Sequence, residues 1–85
     1  MNRHTEQRTL AEIEELLQLA ERDEEYKARN ARTYSERASM ARDAGRESDA
    51  ADNEGLALYW ERQRDHAEAR VIELRNARSA KRNGL

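Results

Sequence analysis

The chain contains no cysteine, no proline and no phenylalanine, and glycine occupies three of its 85 positions. Without cysteine, disulfides, thiolate-ligated zinc and thiol nucleophiles are all excluded. Without proline, and with Gly45, Gly55 and Gly84 standing alone, long helices meet few breakers and no glycine-rich phosphate loop exists. Neither sign of charge dominates: 16 basic against 18 acidic residues leave −2, which supplies no global attraction to nucleic acid or acidic membranes. No run approaches the 18 to 20 apolar residues of a membrane span, and Met1-Asn2-Arg3-His4 lacks the apolar stretch of a secretory signal. These absences predict a soluble cytoplasmic protein with no membrane partner.

What is present favours helix. Charged residues make up 40% of the chain, a share that overlaps disordered segments, yet Ala, Glu, Arg and Leu dominate and all four are strong helix formers. Hydrophobic residues reach only 36%, and 14 of them are Ala. At roughly 25 cal/mol per Å² of apolar surface buried, so few large side chains leave a two-helix monomer marginal against chain entropy. Self-association is the expected remedy.

Residues 1–8 are polar and aperiodic and read as a disordered tail. Thr9 with Glu12 three residues later has the spacing of a capping box. From there Leu10, Ile13, Leu17, Ala20, Glu24, Lys27, Ala31, Tyr34, Ala38 and Ala41 recur at steps of three and four on one helix face. Leu16 and Tyr26 flank that stripe. Glu24 and Lys27 put opposite charges into it, which reads either as a polar break where side chains snorkel or pair or as a kink or helix boundary near residues 21–26. Gly45 is placed to end the first helix, and Ser48 or Asp49 to cap the second. The second stripe runs Leu56, Trp60, Gln63, Ala67, Arg70 or Val71, Leu74 and Ala77, with Asn83-Gly84 as its stop and 83–85 as a frayed end. Gly55 makes residues 50–55 the weakest helical stretch. The fold expected is all-α: an antiparallel two-helix hairpin with helices at about 10–44 and 49–81, one domain over 9–82, assembling as a homodimeric four-helix bundle.

Charge blocks reinforce the hairpin. Residues 1–25 carry −5, residues 26–46 carry +4, residues 47–61 carry −5 and residues 62–85 carry +4. Each helix is then acidic in its first half and basic in its second, complementing its own dipole. Folding near residue 45 sets opposite blocks side by side, and antiparallel association of two hairpins does so again, whereas parallel helices would stack like charges. Surface pairs stabilise by only a few tenths of a kcal/mol each, roughly, so the pattern specifies orientation above all. The blocks do not repeat at a fixed offset, which argues against a solenoid.

Little of the sequence suggests chemistry. His4 lies in the tail, His66 lies mid-helix, and no Glu-x-x-His spacing accompanies either, so no metal and no cofactor are expected. Tyr59, His66 and Arg70 share a flank, but two helices enclose no pocket that would orient a nucleophile, and a boundary histidine is the simpler reading. No enzyme is expected. A helical enzyme subunit whose site is completed by another chain is a weaker alternative.

Leu56, Leu58, Tyr59 and Trp60 place more bulk around the start of the second helix than a single seam absorbs. With Tyr34 they are the candidate partner-binding residues. The competing structural reading has this cluster plugging the hairpin against Tyr34, Ala38 and Met40; both hold if Trp60 fills the seam while Leu58 or Tyr59 reaches outward. The function expected is therefore protein–protein interaction, as adaptor, inhibitor or regulator, with the chain's own second copy as first partner. The alternative is a small RNA- or DNA-binding accessory protein that uses Arg75, Arg78 and Arg82, near one stripe, against phosphates.

Overall fold

The computed structural model describes residues 8–84, so the tail expected over residues 1–8 lies, apart from Arg8, outside the described residues. Two helices account for nearly all of it: α1, Leu10–Asp43, and α2, Glu47–Arg82, packed antiparallel into a rod 58 Å long.

Thr9 starts α1 as its spacing predicts. Its hydroxyl accepts from the Glu12 N–H at 3.1 Å while the Glu12 carboxylate accepts from the Thr9 N–H at 2.8 Å, which satisfies two donors the first turn would otherwise orphan. The bond from the Thr9 backbone N–H, followed by the nearby Thr9 hydroxyl, holds the Glu12 carboxyl below its ordinary pKa. A lowered folded-state value means that the carboxylate's contribution is complete above its unfolded pKa and is lost as the pH falls through the folded one. Helicity of α1 is therefore expected to decline below about pH 4 ahead of a Glu12→Gln variant's, which loses the step but starts lower; circular dichroism against pH reads both.

Between residues 21 and 26 α1 runs without a break. A helix boundary at residues 21–26 is thus ruled out, and Lys27 behaves as a polar interruption of the seam would. Lys27 reaches back one turn to Asp23 at 2.8 Å with its stem half-buried, so its charge leaves the seam while its methylenes cover it.

The turn is shorter than the sequence suggested. Ala44 caps α1, Gly45 takes φ +77°, the Gly45 N–H donates to the Arg42 carbonyl at 3.0 Å and the Arg46 N–H to the Ala41 carbonyl at 2.8 Å. This is a Schellman motif, and it delivers the chain straight into α2. Arg46 is the N-cap, with no side-chain capping bond, and α2 begins at Glu47. Ser48 and Asp49 are thus inside the first turn, where Asp49 meets the dipole and pairs with Arg46 at 3.4 Å.

The two internal glycines predict opposite outcomes. At Gly45 the left-handed backbone penalises any Cβ, so Gly45→Ala should destabilise by about 1 kcal/mol or more. Gly55 lies inside α2 with open space where a Cβ would sit, so Gly55→Ala should stabilise by about 0.5–1 kcal/mol. Thermal unfolding of the two variants should bracket the parent.

Burial places the seam on the expected face of α1: Ile13, Leu17, Ala31, Ala38 and Ala41 are buried. On α2 the expected stripe holds at Trp60, Gln63, Ala67, Val71, Leu74 and Ala77, all buried or half-buried, and fails at Leu56. Ala50, Ala57, Ala67, Val71 and Leu74 are buried, whereas Leu56 is 43% exposed and Arg70 is exposed. The heptad register sets Tyr34 level with Ala57 and Ala31 level with Trp60, a large residue against a small one in each layer. Ala57 takes the buried position and Leu56 turns out.

The core is uneven along the rod. Leu17, Val71 and Leu74 form its one cluster of large buried side chains, with Leu16 and Ala20 against it, and Ile13 is buried beside the same open end. Toward the turn the buried positions, Ala31, Ala38, Ala41, Ala50 and Ala57, are all alanine. Small side chains let the two backbones approach closely there, at the expense of apolar area.

Candidate functional site

Two rows of residues run the length of the hairpin on one flank of the seam. On α1, Glu14, Glu21, Ala28, Ser35 and Arg42 follow at intervals of one heptad; on α2, Glu54, Glu61, Glu68, Arg75 and Arg82 do the same. Antiparallel packing brings the rows together as a ladder. Arg82 meets Glu14 at 2.8 Å, Arg75 meets Glu21 at 3.1 Å and Arg42 meets Glu54 at 2.8 Å. These are the opposing charge blocks read in the sequence, now resolved into individual pairs. The Glu54 bond raises the Arg42 pKa above its ordinary value.

The two middle rungs oppose Ala28 to Glu68 and Ser35 to Glu61, and so carry no cation on the α1 side. Both glutamates lie in the field of Arg64 on their own helix, which Asp65 bonds at 3.1 Å. Beside these rungs an open groove of ≈ 510 Å³ is lined by Ser35, Ser39, Arg42, Glu54, Leu58 and Glu61 among others. An arginine at Ser35 would complete the rung with Glu61. Ser35→Arg should raise the melting temperature by roughly 1–4 °C, an effect that 1 M NaCl erases.

The opposite flank has no such ladder. There the α1 row Leu19, Tyr26, Thr33 and Met40, again one heptad apart, lies beside Leu16, and α2 contributes Leu56 and Tyr59. Tyr26 and Trp60 meet edge to face across the helices at 5.9 Å between centroids, and Tyr59 meets Trp60 in the same way at 5.2 Å. The three rings tie the two helices' flanks into one surface. Exposure along it is high for apolar side chains: Leu19 54%, Tyr26 50%, Tyr59 52% and Met40 67%. Leu58 and Ile72 are also exposed, two heptads apart on the ladder side of α2.

Of the sequence's partner-binding candidates, Leu56, Leu58 and Tyr59 face solvent while Trp60 and Tyr34 are half-buried. Trp60 thus fills the seam while its neighbours reach out. Met40 does not help to plug the hairpin, as one reading had it, because its register turns it away from α2. Leu19 and Tyr26 were not singled out as contact residues, although their heptad spacing to Met40 is visible in the sequence once a second stripe is sought on α1.

Arg75, Arg78 and Arg82 do not form one row. Arg75 and Arg82 stand on the ladder and are bonded across it, whereas Arg78 turns toward the seam, half-buried, with its Nε buried and without a hydrogen-bond partner. His66 is exposed, and Arg70 pairs with Glu73. Among the described residues no group of three or more His, Asp or Glu is arranged to hold a metal ion, and no helix is long and apolar enough to cross a membrane.

Compared with protein families, with curated proteins and with solved structures, the chain matches none.

Proposed function

We propose that the chain is a non-enzymatic interaction protein: a helical hairpin that acts by covering a protein surface, as adaptor, inhibitor or regulator, and that binds its own second copy to form a four-helix bundle. The observation that carries this reading is an imbalance. Among the described residues seven large hydrophobic side chains are exposed, while four, Ile13, Leu17, Val71 and Leu74, are buried. A hairpin with so thin a core gains stability from any partner that removes those side chains from water, and the chain's own copy is always at hand. The charge halves support helix pairing in antiparallel sense.

Sedimentation equilibrium from about 1 to 300 μM, with circular dichroism on the same samples, tests the reading. The expected result is a dimer whose dissociation on dilution is accompanied by loss of helicity. A fully helical monomer across the whole range would overturn self-association. The arginine-rich ends support nucleic-acid binding less well, since a phosphate would have to displace Glu14 and Glu21 from Arg82 and Arg75. Retention of a short DNA or RNA oligonucleotide in 50 mM salt, lost steeply by 200 mM, would redirect the assignment to that class.

A further inference from the structure

We infer that the phase between its two seams locks the hairpin closed. The seam of α2 starts five residues out of the heptad set by α1, so the chain cannot open at the turn into one continuous helix and exchange α2 with a second copy.

Little else bars that exchange. The turn comprises Ala44, Gly45 and Arg46 alone, and the N-cap of α2 makes no side-chain capping bond. Of the three residues only Gly45 has a positive φ, and alanine and arginine on either side of it are strong helix formers. Opened into a single helix from Leu10 to Arg82, the chain would be about 110 Å long. Two such helices, antiparallel, would oppose every acidic block to a basic one, as the closed hairpin does. Short hinges invite exchange of this kind.

The seams oppose it. The stripe of α1 ends on the buried pair Ala38 and Ala41, and the same alternation of steps carried through the turn would put the next seam positions at 45, 48 and 52. The seam of α2 instead holds Ala50, Asn53, Ala57 and Trp60, all buried or half-buried. Position 50 thus stands where 45 would, and five residues at about 100° each turn the second stripe about 140° away from the first. Supercoiling absorbs only about 20° per heptad, so both stripes of one continuous helix cannot meet the same neighbour. An opened chain satisfies half of its seam at a time, whereas the closed turn lets α2 face α1 along its whole length. The self-association proposed above is then an association of closed hairpins.

Closure set by a count of residues can be undone by changing the count. Two alanines inserted after a Gly45→Ala substitution bring the five to a full heptad, which leaves about 20° for supercoiling to absorb. Four inserted alanines favour a continuous helix at least as strongly but set the stripes about 180° apart. Ser35→Cys and Glu61→Cys supply the readout: both positions are exposed, they oppose each other on a middle rung, and the chain has no other cysteine. A short bis-maleimide joins them within one chain when the hairpin is closed and between two chains when α2 is exchanged, and a denaturing gel separates the products. Circular dichroism verifies that each chain is helical. At about 100 μM the parent, Gly45→Ala alone and the four-alanine chain should cross-link within themselves, while the two-alanine chain gives roughly ten times more product between chains than any of them. Exchange by Gly45→Ala or by the four-alanine chain at the two-alanine level would overturn the inference, since phase would then be no bar. A two-alanine chain that cross-links only within itself would overturn it too, since closure would then have another cause. Sedimentation of the parent decides a separate matter: a monomer ends the self-association reading and leaves the lock at the turn untouched.

Discussion

Leu74→Ala is expected to unfold the hairpin at micromolar concentration and 25 °C. Leu74 is 1% exposed and belongs to the single cluster of large buried side chains, with Leu17 and Val71. Truncating such a residue costs about 2–5 kcal/mol, the transfer term plus the cavity left behind. In a larger domain that loss is tolerated. Here only Ile13, Leu17 and Val71 are buried large side chains beside it among the described residues, and the buried positions toward the turn are all alanine. Ile72→Ala, two residues away but 51% exposed, serves as the control and should change the stability of an isolated hairpin by no more than about 0.5 kcal/mol. Thermal denaturation followed at 222 nm distinguishes the pair. A drop of less than about 5 °C for Leu74→Ala would show that stability resides elsewhere.

The second large effect concerns assembly. Tyr26→Lys combined with Tyr59→Lys replaces two half-exposed aromatic rings that flank Trp60 with charges on the ladder-free face, and it tests whether the proposed self-association covers that face. Buried aromatic anchors commonly contribute 2 kcal/mol or more to an interface, so the dimer dissociation constant should rise by roughly 30-fold to 1,000-fold. Helicity should follow the dimer: preserved where the variant is concentrated enough to associate, and lost at concentrations where the parent remains folded. A dissociation constant within threefold of the parent's would remove this face from the interface.

Much of the hairpin is written in short-range chemistry, and that part is legible without coordinates. Thr9 and Glu12 announce a helix start because the capping box is a fixed-spacing device. Gly45 announces the end of α1 because a Schellman turn needs a positive φ. The charge blocks announce antiparallel pairing because they concern whole halves of helices and tolerate errors of a residue or two. Exact rotation of α2 is a different kind of information. Leu56 looks like a core residue in the sequence and Ala57 does not, yet the seam takes Ala57, because one residue's difference in phase decides which of two neighbours faces the other helix. The cap of α2 was misplaced for a related reason: the turn ends α1 and starts α2 in so few residues that Ser48 and Asp49 are already helical. The second stripe on α1 is regular but interrupted by Thr33 and so less conspicuous than the bulk at Leu56–Trp60, and the surface shared by Tyr26, Tyr59 and Trp60 exists only once the two helices pack together.

The uneven core also sets how the molecule would bear tension. Ile13, Leu17, Val71 and Leu74, reinforced by the Glu14–Arg82 and Glu21–Arg75 pairs, sit at the open end, while the alanine layers lie toward the turn. A force pulling the two chain ends apart meets the strongest layers first. Once they part, what remains behind them, the Tyr26–Trp60 contact and then alanine layers, holds less than the cluster already broken, so the hairpin should hold until a threshold and then rip open. Pulled apart from a severed turn, the same two helices would peel gradually, with resistance growing to the last.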